Sequence, residues 1–166
     1  MLWLVLEPMV MWAYNSAAAQ WIRASTWAVA ILEVLHLFGL IFLLGSVLMI
    51  GLRCFRIILH RDGVEQVVRS WAPTMLGGLV LMTVTGGLIF SSGATKYVDS
   101  RSFQVKMSLY FMAIVVQGVI YALALLKRDE DRSLGPAWMV IWMVMGGLAT
   151  LLWFGVGIAG RVIAFI

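Results

Sequence analysis

Four long apolar stretches constrain what this sequence can fold into. A helix needs about 20 predominantly apolar residues to cross the hydrocarbon core of a bilayer, and each stretch is long enough. Because 63% of the 166 residues are apolar and only 12% are charged, no length remains for a soluble domain. We therefore predict an all-α integral membrane protein, with residues 24–166 forming a four-helix transmembrane bundle. The predicted spans cover approximately residues 27–52, 71–92, 103–126 and 138–160.

The N-terminal segment, residues 1–23, is apolar but interrupted. Glu7 is costly in lipid and Pro8 lacks a backbone N–H, so the sequence favours one or two short amphipathic helices in the membrane interface. The segment lacks the basic start of a signal peptide, and we predict no cleavage. If residues 1–20 crossed the membrane instead, the chain would have five spans. Aromatic residues that suit an interfacial position are Trp3, Trp12, Tyr14 and Trp21.

The Lys and Arg residues sit beside the spans. Cytoplasmic loops carry an excess of these residues, and the loops after the first and third spans hold seven, against five on the opposite side. This bias predicts that both termini lie outside, and we expect the protein in the plasma membrane. Contact with headgroups explains the net charge of +4 without a nucleic-acid partner. The seven are Arg53, Arg56, Arg61, Arg69, Lys127, Arg128 and Arg132, and the five are Arg23, Lys96, Arg101, Lys106 and Arg161.

Residues 53–61 follow the first span with the sequence RCFRIILHR. Helical spacing would put Arg53, Arg56 and His60 on one face. We therefore predict that the first helix extends past the bilayer and carries a basic stripe at the level of the headgroups.

Two ionisable residues inside the first span, Glu33 and His36, are the strongest functional signal. A charged side chain at the centre of a membrane helix costs about 2.5–3.5 kcal/mol even on lenient scales, so such residues usually face a partner, a cavity or a cofactor. At about 1.5 Å of rise per residue, His36 lies about 25 Å from Arg53. The same arithmetic brings Lys106 and Arg161 to this outer layer. The sequence therefore predicts a polar cluster from three helices.

The cluster has more than one interpretation. Glu33 can form an ion pair with Lys106 or Arg161, because buried charges need such partners. His36 can be a hydrogen-bonded packing residue, or it can be an axial haem ligand or a metal ligand. Gly39, one turn below His36, leaves a gap that either a flat macrocycle or a neighbouring helix could fill.

Small residues recur in the second and fourth spans. Helices in lipid associate by close backbone approach, which small residues allow. The pattern predicts close packing, either within the bundle or between the subunits of a homo-oligomer. The glycines concerned are Gly77, Gly78, Gly86 and Gly87 in the second span and Gly146, Gly147, Gly155, Gly157 and Gly160 in the fourth.

Several segments together resemble known families. IRASTW, ILEVLHLFGLIFLLGSVLMIGLR, TGGLIF, FQVK and GRVIAF resemble, along nearly the whole chain, a bacterial family of small membrane proteins of unknown function. More distantly, LHLFG, the Arg53 to His60 stretch, APTM and FQVKMSLYFMA are similar to the HemJ-type protoporphyrinogen oxidases and to the CopD-like membrane domain.

The two distant resemblances carry different implications. The HemJ-type resemblance implies a four-helix core with haem b, with His36 matching a first-helix histidine and with Arg53 and Lys106 matching basic residues of that family. The CopD-like resemblance implies copper handling. The chain departs from the HemJ pattern by carrying Glu33 and by having Ile50-Gly51-Leu52-Arg53 in place of a Leu-Pro-Arg turn. The HemJ-type resemblance therefore implies haem binding more strongly than it implies protoporphyrinogen oxidation.

These features lead to two functional hypotheses. In the first, the protein is a haem-b-binding redox component of a bacterial inner membrane, with His36 as axial ligand and with Glu33, Lys106 and Arg161 tuning the haem or holding its propionates. In the second, it is an accessory subunit of a larger membrane complex or a transport or proton-relay module in which the same four residues form a buried polar cluster. Whether it is an enzyme stays open. Copper handling is a third possibility, although its need for clustered soft ligands is poorly met.

Overall fold

The described residues form seven α-helices. A computed structural model describes residues 2–59, 61–126 and 135–163, and no strand occurs in these ranges. Four of the helices are long and apolar enough to cross a membrane, which confirms the predicted all-α class and the number of spans. The helices are α1 (Leu2–Asn15), α2 (Ala17–Ala24), α3 (Ala28–Cys54), α4 (Val64–Ser92), α5 (Ala94–Asp99), α6 (Arg101–Leu126) and α7 (Pro136–Ile163).

The four long helices form an antiparallel bundle. Going around it, α3 packs against α4, α4 against α6, α6 against α7, and α7 against α3. The diagonal partners α3 and α6 make no close backbone contact in the described parts of the chain. Side chains from all four helices fill the interior as two clusters stacked along the bundle axis. One contains Leu43, Val47, Met75, Met82, Ala113, Leu152, Trp153 and Val156, and the other Ile50, Cys54, Val64, Val68, Ile120, Ala124, Trp142 and Ala149.

Glycines allow α3 to approach two neighbours at backbone distance. A Cβ added at Gly39 would lie 2.8 Å from the backbone nitrogen of Met82 and 3.0 Å from the carbonyl oxygen of Gly78. Further along α3, Gly51 lies against α7, and a Cβ added at Gly146 of that helix would lie 2.7 Å from the Cβ of Cys54. The predicted close packing is therefore present within the bundle. Association between subunits stays a prediction.

The short helices α1, α2 and α5 gather at one end of the bundle, which we call the cap end. α1 packs on α2, α4 and α5, and α2 packs on α3 and α4. With 14 residues and an internal Pro8, α1 is too short to span. Ser16 joins α1 to α2, because its hydroxyl oxygen accepts from the Ala19 N–H at 3.2 Å and its O–H donates to the Ala13 carbonyl at 2.8 Å.

The opposite end of the bundle, the loop end, differs from the prediction. α3 ends at Cys54, and Arg56 and Leu59 adopt the left-handed conformation with φ of 59° and 52°. The predicted helical extension over 53–61, with its basic stripe, is therefore wrong; His60 lies outside the described residues. Arg53 turns inward instead, where its guanidinium donates two hydrogen bonds to the Asp62 carbonyl, at 2.8 and 2.5 Å. This contact closes the loop between α3 and α4.

Candidate functional site at the cap end

His36 lies on α3 about 12 Å along the helix from its start, taking about 1.5 Å per residue. Its side chain is half-buried and packs against α4. The ring nitrogen Nδ1 lies 3.1 Å from the hydroxyl oxygen of Thr85. A Cβ added at Gly86 would lie 3.0 Å from Cε1 of the ring. The glycine therefore provides the space into which the imidazole fits.

The hydrogen bonds of Thr85 determine which ring nitrogen carries the proton. The Thr85 hydroxyl lies 2.6 Å from the Leu81 carbonyl, to which it donates its single proton. Its oxygen can then only accept from His36, so we assign the proton of the neutral imidazole to Nδ1. The Met82 carbonyl, 3.3 Å from the same hydroxyl, adds a second acceptor beside the ring. This arrangement leaves the lone pair of Nε2 free to act as a base or a ligand.

Lys106 approaches the same site from α6. Its side chain is half-buried against α7, where a Cβ added at Gly160 would lie 3.3 Å from the ammonium nitrogen. The ammonium is close enough to interact electrostatically with His36. Because α3 and α6 are diagonal helices, the two residues face each other across the interior of the bundle. All four long helices thus contribute to the site, with Thr85 and Gly86 supplied by α4.

Glu33 and Arg161 do not complete the predicted cluster. Both side chains are exposed on the surface of the bundle, and among the described residues neither forms an ion pair with the other or with Lys106. Residues three apart differ by about 60° around a helix. With His36 at the edge of the buried face of α3, this rotation carries Glu33 outside it. The buried polar cluster therefore reduces to His36 and Lys106.

The gap predicted at Gly39 is filled by a helix. The backbone of α4 covers that face at the Gly78 and Met82 positions. A macrocycle lying against Gly39 is therefore excluded, and the alternative of a neighbouring helix is correct.

Two polar residues lie in the interior at positions that the sequence did not lead us to expect. Gln117 is 3% exposed in the middle of α6, and Arg53 is 9% exposed at the end of α3. A lone amide inside an apolar stretch was a visible signal for Gln117. Nothing in the local sequence showed that Arg53 would turn inward, because that depends on the loop around Asp62.

The donor set around His36 offers a single imidazole to a metal. Within the described ranges, no group of three or more His, Cys, Asp or Glu side chains could hold a metal ion. A bare copper or zinc ion needs several protein ligands. Haem iron needs only an axial ligand from the protein, because the porphyrin supplies the remaining nitrogens. A single histidine therefore fits haem better than it fits a bare ion.

Comparison of the chain with protein-family models, with curated proteins and with solved structures finds no match. The resemblances to the HemJ-type and CopD-like proteins stay predictions. A fold by itself does not define a function, and a four-helix membrane bundle is compatible with many. The geometry of the cap-end site is therefore the guide to the function of this multi-pass membrane protein.

Proposed function

We propose that this protein is a redox or electron-transfer component of a bacterial inner membrane that binds haem b through Nε2 of His36. The observation that carries the proposal is the hydrogen bond from Nδ1 to Thr85. Histidines that bind metals almost always donate their other ring N–H to a fixed acceptor, which sets the tautomer and the orientation of the ring.

Other residues of the site fit the same cofactor. The Lys106 ammonium is suited to pair with a propionate carboxylate, which would relieve its lack of an acidic partner among the described side chains. Gly86 and Gly160 keep side chains away from His36 and Lys106. When bound, haem would supply one-electron chemistry. The exposed Glu33 and Arg161 would act only through their charge near the membrane surface.

The roles of the protein residues follow from these contacts. Thr85 holds the proton on Nδ1 and so keeps the Nε2 lone pair available. Lys106 supplies positive charge on the opposite side of the bundle interior, which favours binding of an anion. With both termini outside, as the charge bias predicts, the site would lie in the outer leaflet.

A second candidate is a non-enzymatic proton-relay or accessory subunit of a larger membrane complex. His36 and Lys106 face each other across the interior, and both groups can exchange protons. This arrangement favours the second candidate. In this case the lone pair on Nε2 would accept a proton instead of binding iron.

Absorption spectra of the protein, purified in detergent from haem-replete cells, distinguish the candidates. We expect a Soret band in the oxidised state that shifts on reduction with dithionite, and about one equivalent of iron per protein by metal analysis. His36→Ala should abolish the band, while His60→Ala, at the other histidine of the chain, should leave it unchanged. A wild-type protein without a Soret band would rule out the haem proposal.

In that event the second candidate makes its own prediction. His36→Ala should leave the protein folded but abolish its co-purification with partner subunits or its proton coupling. Wild-type behaviour of His36→Ala in both assays would contradict the relay or accessory role and indicate a structural histidine.

A further inference from the structure

A groove on the outer side of α6 carries a positive charge that neither candidate function uses. Its volume is about 460 Å³. All of its side chains except the half-buried Leu109 are exposed, so the groove is a surface feature of the bundle. The described residues that line it all belong to α6 and are Arg101, Gln104, Val105, Ser108 and Leu109.

The positions of these residues around α6 turn the groove away from the interior. The buried face of the helix consists of Ala113, Gln117, Ile120 and Ala124. Gln104 precedes Ala113 by nine residues, which is a rotation of about 180° at about 100° per residue. It therefore lies opposite the buried face. In a transmembrane bundle this outer side is covered by lipid.

The groove changes from polar to apolar with depth in the membrane. Arg101 begins α6 at the cap end, near the membrane surface. At about 1.5 Å of rise per residue, Val105 lies about 6 Å deeper and Leu109 about 12 Å deeper. Between them, the Ser108 hydroxyl gives its proton to the Gln104 carbonyl at 3.0 Å, so it has no donor left. The deep part of the groove therefore offers mainly hydrocarbon, and only its mouth offers charge.

The charge at the mouth has no partner in the described part of the protein, where Arg101 forms neither an ion pair nor a hydrogen bond. The acidic residue closest to it in sequence, Asp99, is exposed on α5 and does not line the groove. The Gln104 amide donates to the Val98 carbonyl at 3.1 Å, which leaves its second N–H available. The mouth therefore presents a guanidinium and an amide donor to a group from outside the chain.

We propose that this groove binds one anionic phospholipid, with its phosphate at Arg101 and an acyl chain along Val105 and Leu109. The bilayer that covers this side of α6 supplies the ligand. Guanidinium groups form strong, charge-assisted hydrogen bonds with phosphate, and no acidic side chain among the described residues lines the groove. A zwitterionic headgroup would bring its own cation to a mouth that is already positive. A free phosphate would leave the apolar part unfilled.

The lipid site is separate from the cap-end site. Lys106 follows Arg101 by five residues, which is a rotation of about 140° around α6, and it packs against α7 at Gly160. The ammonium therefore faces the bundle while the guanidinium faces the membrane. The lipid proposal does not depend on whether His36 binds haem.

Native mass spectrometry of the full-length protein in detergent tests the proposal, with palmitoyl-oleoyl phosphatidylglycerol as the probe. We expect a first lipid adduct that saturates at a lower lipid concentration than any later adduct. Arg101→Gln should raise the apparent Kd of this adduct about tenfold, because a charged hydrogen-bond donor is lost. A wild-type protein without a preferred first adduct would overturn the proposal.

Arg161→Gln is the matched control for Arg101→Gln. It removes the same charge at the same end of the bundle, from an exposed position on α7 that does not line the groove. The apparent Kd should stay within about twofold of wild type. Equal losses in the two variants would show general attraction of anionic lipid to a basic surface, and the groove would not be the site.

Two further probes identify the headgroup. Palmitoyl-oleoyl phosphatidylcholine has the same chains but no net charge, and we expect it to bind several-fold more weakly than phosphatidylglycerol. Equal affinities would contradict the choice of an anionic lipid. Millimolar inorganic phosphate should not displace the bound phosphatidylglycerol. Displacement would mean that the mouth binds phosphate without the chain.

Filling the apolar part of the groove tests the position of the acyl chain. Val105→Trp places a large side chain there and keeps Arg101, so it should weaken the first adduct about as much as Arg101→Gln. Val115→Trp is the control, because Val115 is similarly exposed on the same helix, at 65% against 55% for Val105, but lies outside the groove. Wild-type lipid binding by Val105→Trp would overturn the proposal.

Discussion

At the scale of single residues, two hydrogen bonds of Thr85 determine which ring nitrogen of His36 carries the proton. The Thr85 hydroxyl gives its proton to the Leu81 carbonyl at 2.6 Å and so can only accept from the imidazole. The sequence identified His36 as a ligand candidate from its cost in lipid. It did not identify Thr85 as the partner, because the two residues are 49 positions apart and meet only when α3 packs on α4.

Replacing Thr85 tests this role directly. Thr85→Val keeps the shape of the side chain but removes the hydroxyl acceptor, so the tautomer of His36 is no longer fixed. Loss of such a partner typically weakens a metal site by about 10–100-fold. We expect a weakening of this size in haem titrations of the apoprotein, followed at the Soret band.

Thr83→Val is the matched control for Thr85→Val. Thr83 is on the same helix, but its hydroxyl contacts Tyr110 at 2.7 Å and not His36. Haem affinity should stay within about twofold of wild type. Equal losses in the two variants would show that the hydrogen bond to His36 is not what matters.

Two adjacent glycines give a second test at this scale. A Cβ at Gly86 would lie 3.0 Å from Cε1 of His36, whereas a Cβ at Gly87 meets nothing within 4 Å. Gly86→Ala should therefore displace the ring and shift the His36 Cε1–H resonance in NMR spectra, with His60 as internal reference. Gly87→Ala should leave this resonance in place and can stabilise α4 by up to about 1 kcal/mol. An unmoved resonance in Gly86→Ala would contradict the described position of the ring.

At the scale of helices, the crossing of α3 and α4 holds the site together. Gly39 and Gly78 bring the two backbones into contact one to two turns from His36. In lipid the hydrophobic effect does not drive helices together, so such contacts contribute through dispersion and shape. The same crossing positions Thr85 and Gly86 against the imidazole. The site therefore depends on the contact between α3 and α4 at Gly39 and Gly78, in which no candidate functional residue takes part.

Gly39→Ala should disturb this crossing. The added Cβ would lie 2.8 Å from the backbone nitrogen of Met82, and backbone cannot move aside as a flexible side chain does. We expect a loss of about 1–3 kcal/mol in the free energy of unfolding, measured by reversible unfolding in mixed detergent micelles.

Gly45→Ala is the control on the same helix, because a Cβ there meets nothing within 4 Å. It should be neutral or stabilise the protein by up to about 1 kcal/mol. If Gly39→Ala were as stable as Gly45→Ala, the close approach of α3 and α4 would be incorrect.

At the scale of the whole molecule, the bundle is a multi-pass membrane protein whose surface is mostly apolar. Large apolar side chains such as Ile31, Ile41 and Val115 are exposed along the spans, which is the expected surface of helices in lipid. The helices α1, α2 and α5 lie together at the cap end, where the loops between α4 and α6 and before α3 also lie. The cap-end site is thus placed near one membrane surface.

The orientation of the bundle can be measured by labelling. The positive-inside bias predicts that the cap end faces outward. In a Cys54→Ala background, a cysteine introduced by Asp99→Cys in α5 should react in intact cells with a membrane-impermeant maleimide. A cysteine introduced by Gln66→Cys at the loop end should react only after the cells are opened. Both positions are exposed, so the reverse pattern would mean that the predicted orientation is wrong.

The sequence by itself determined the fold class, the four spans and the presence of costly polar residues at the level of His36 and Lys106. Hydropathy is a property of each segment alone, so it needs no knowledge of neighbours. Only the tertiary structure decided the rotation of each helix about its axis. Lipid is as apolar as the interior of the bundle, so a span that is apolar all round gives little sign of which face is buried. That rotation turns Glu33 outward, sets His36 against Thr85 and encloses Gln117.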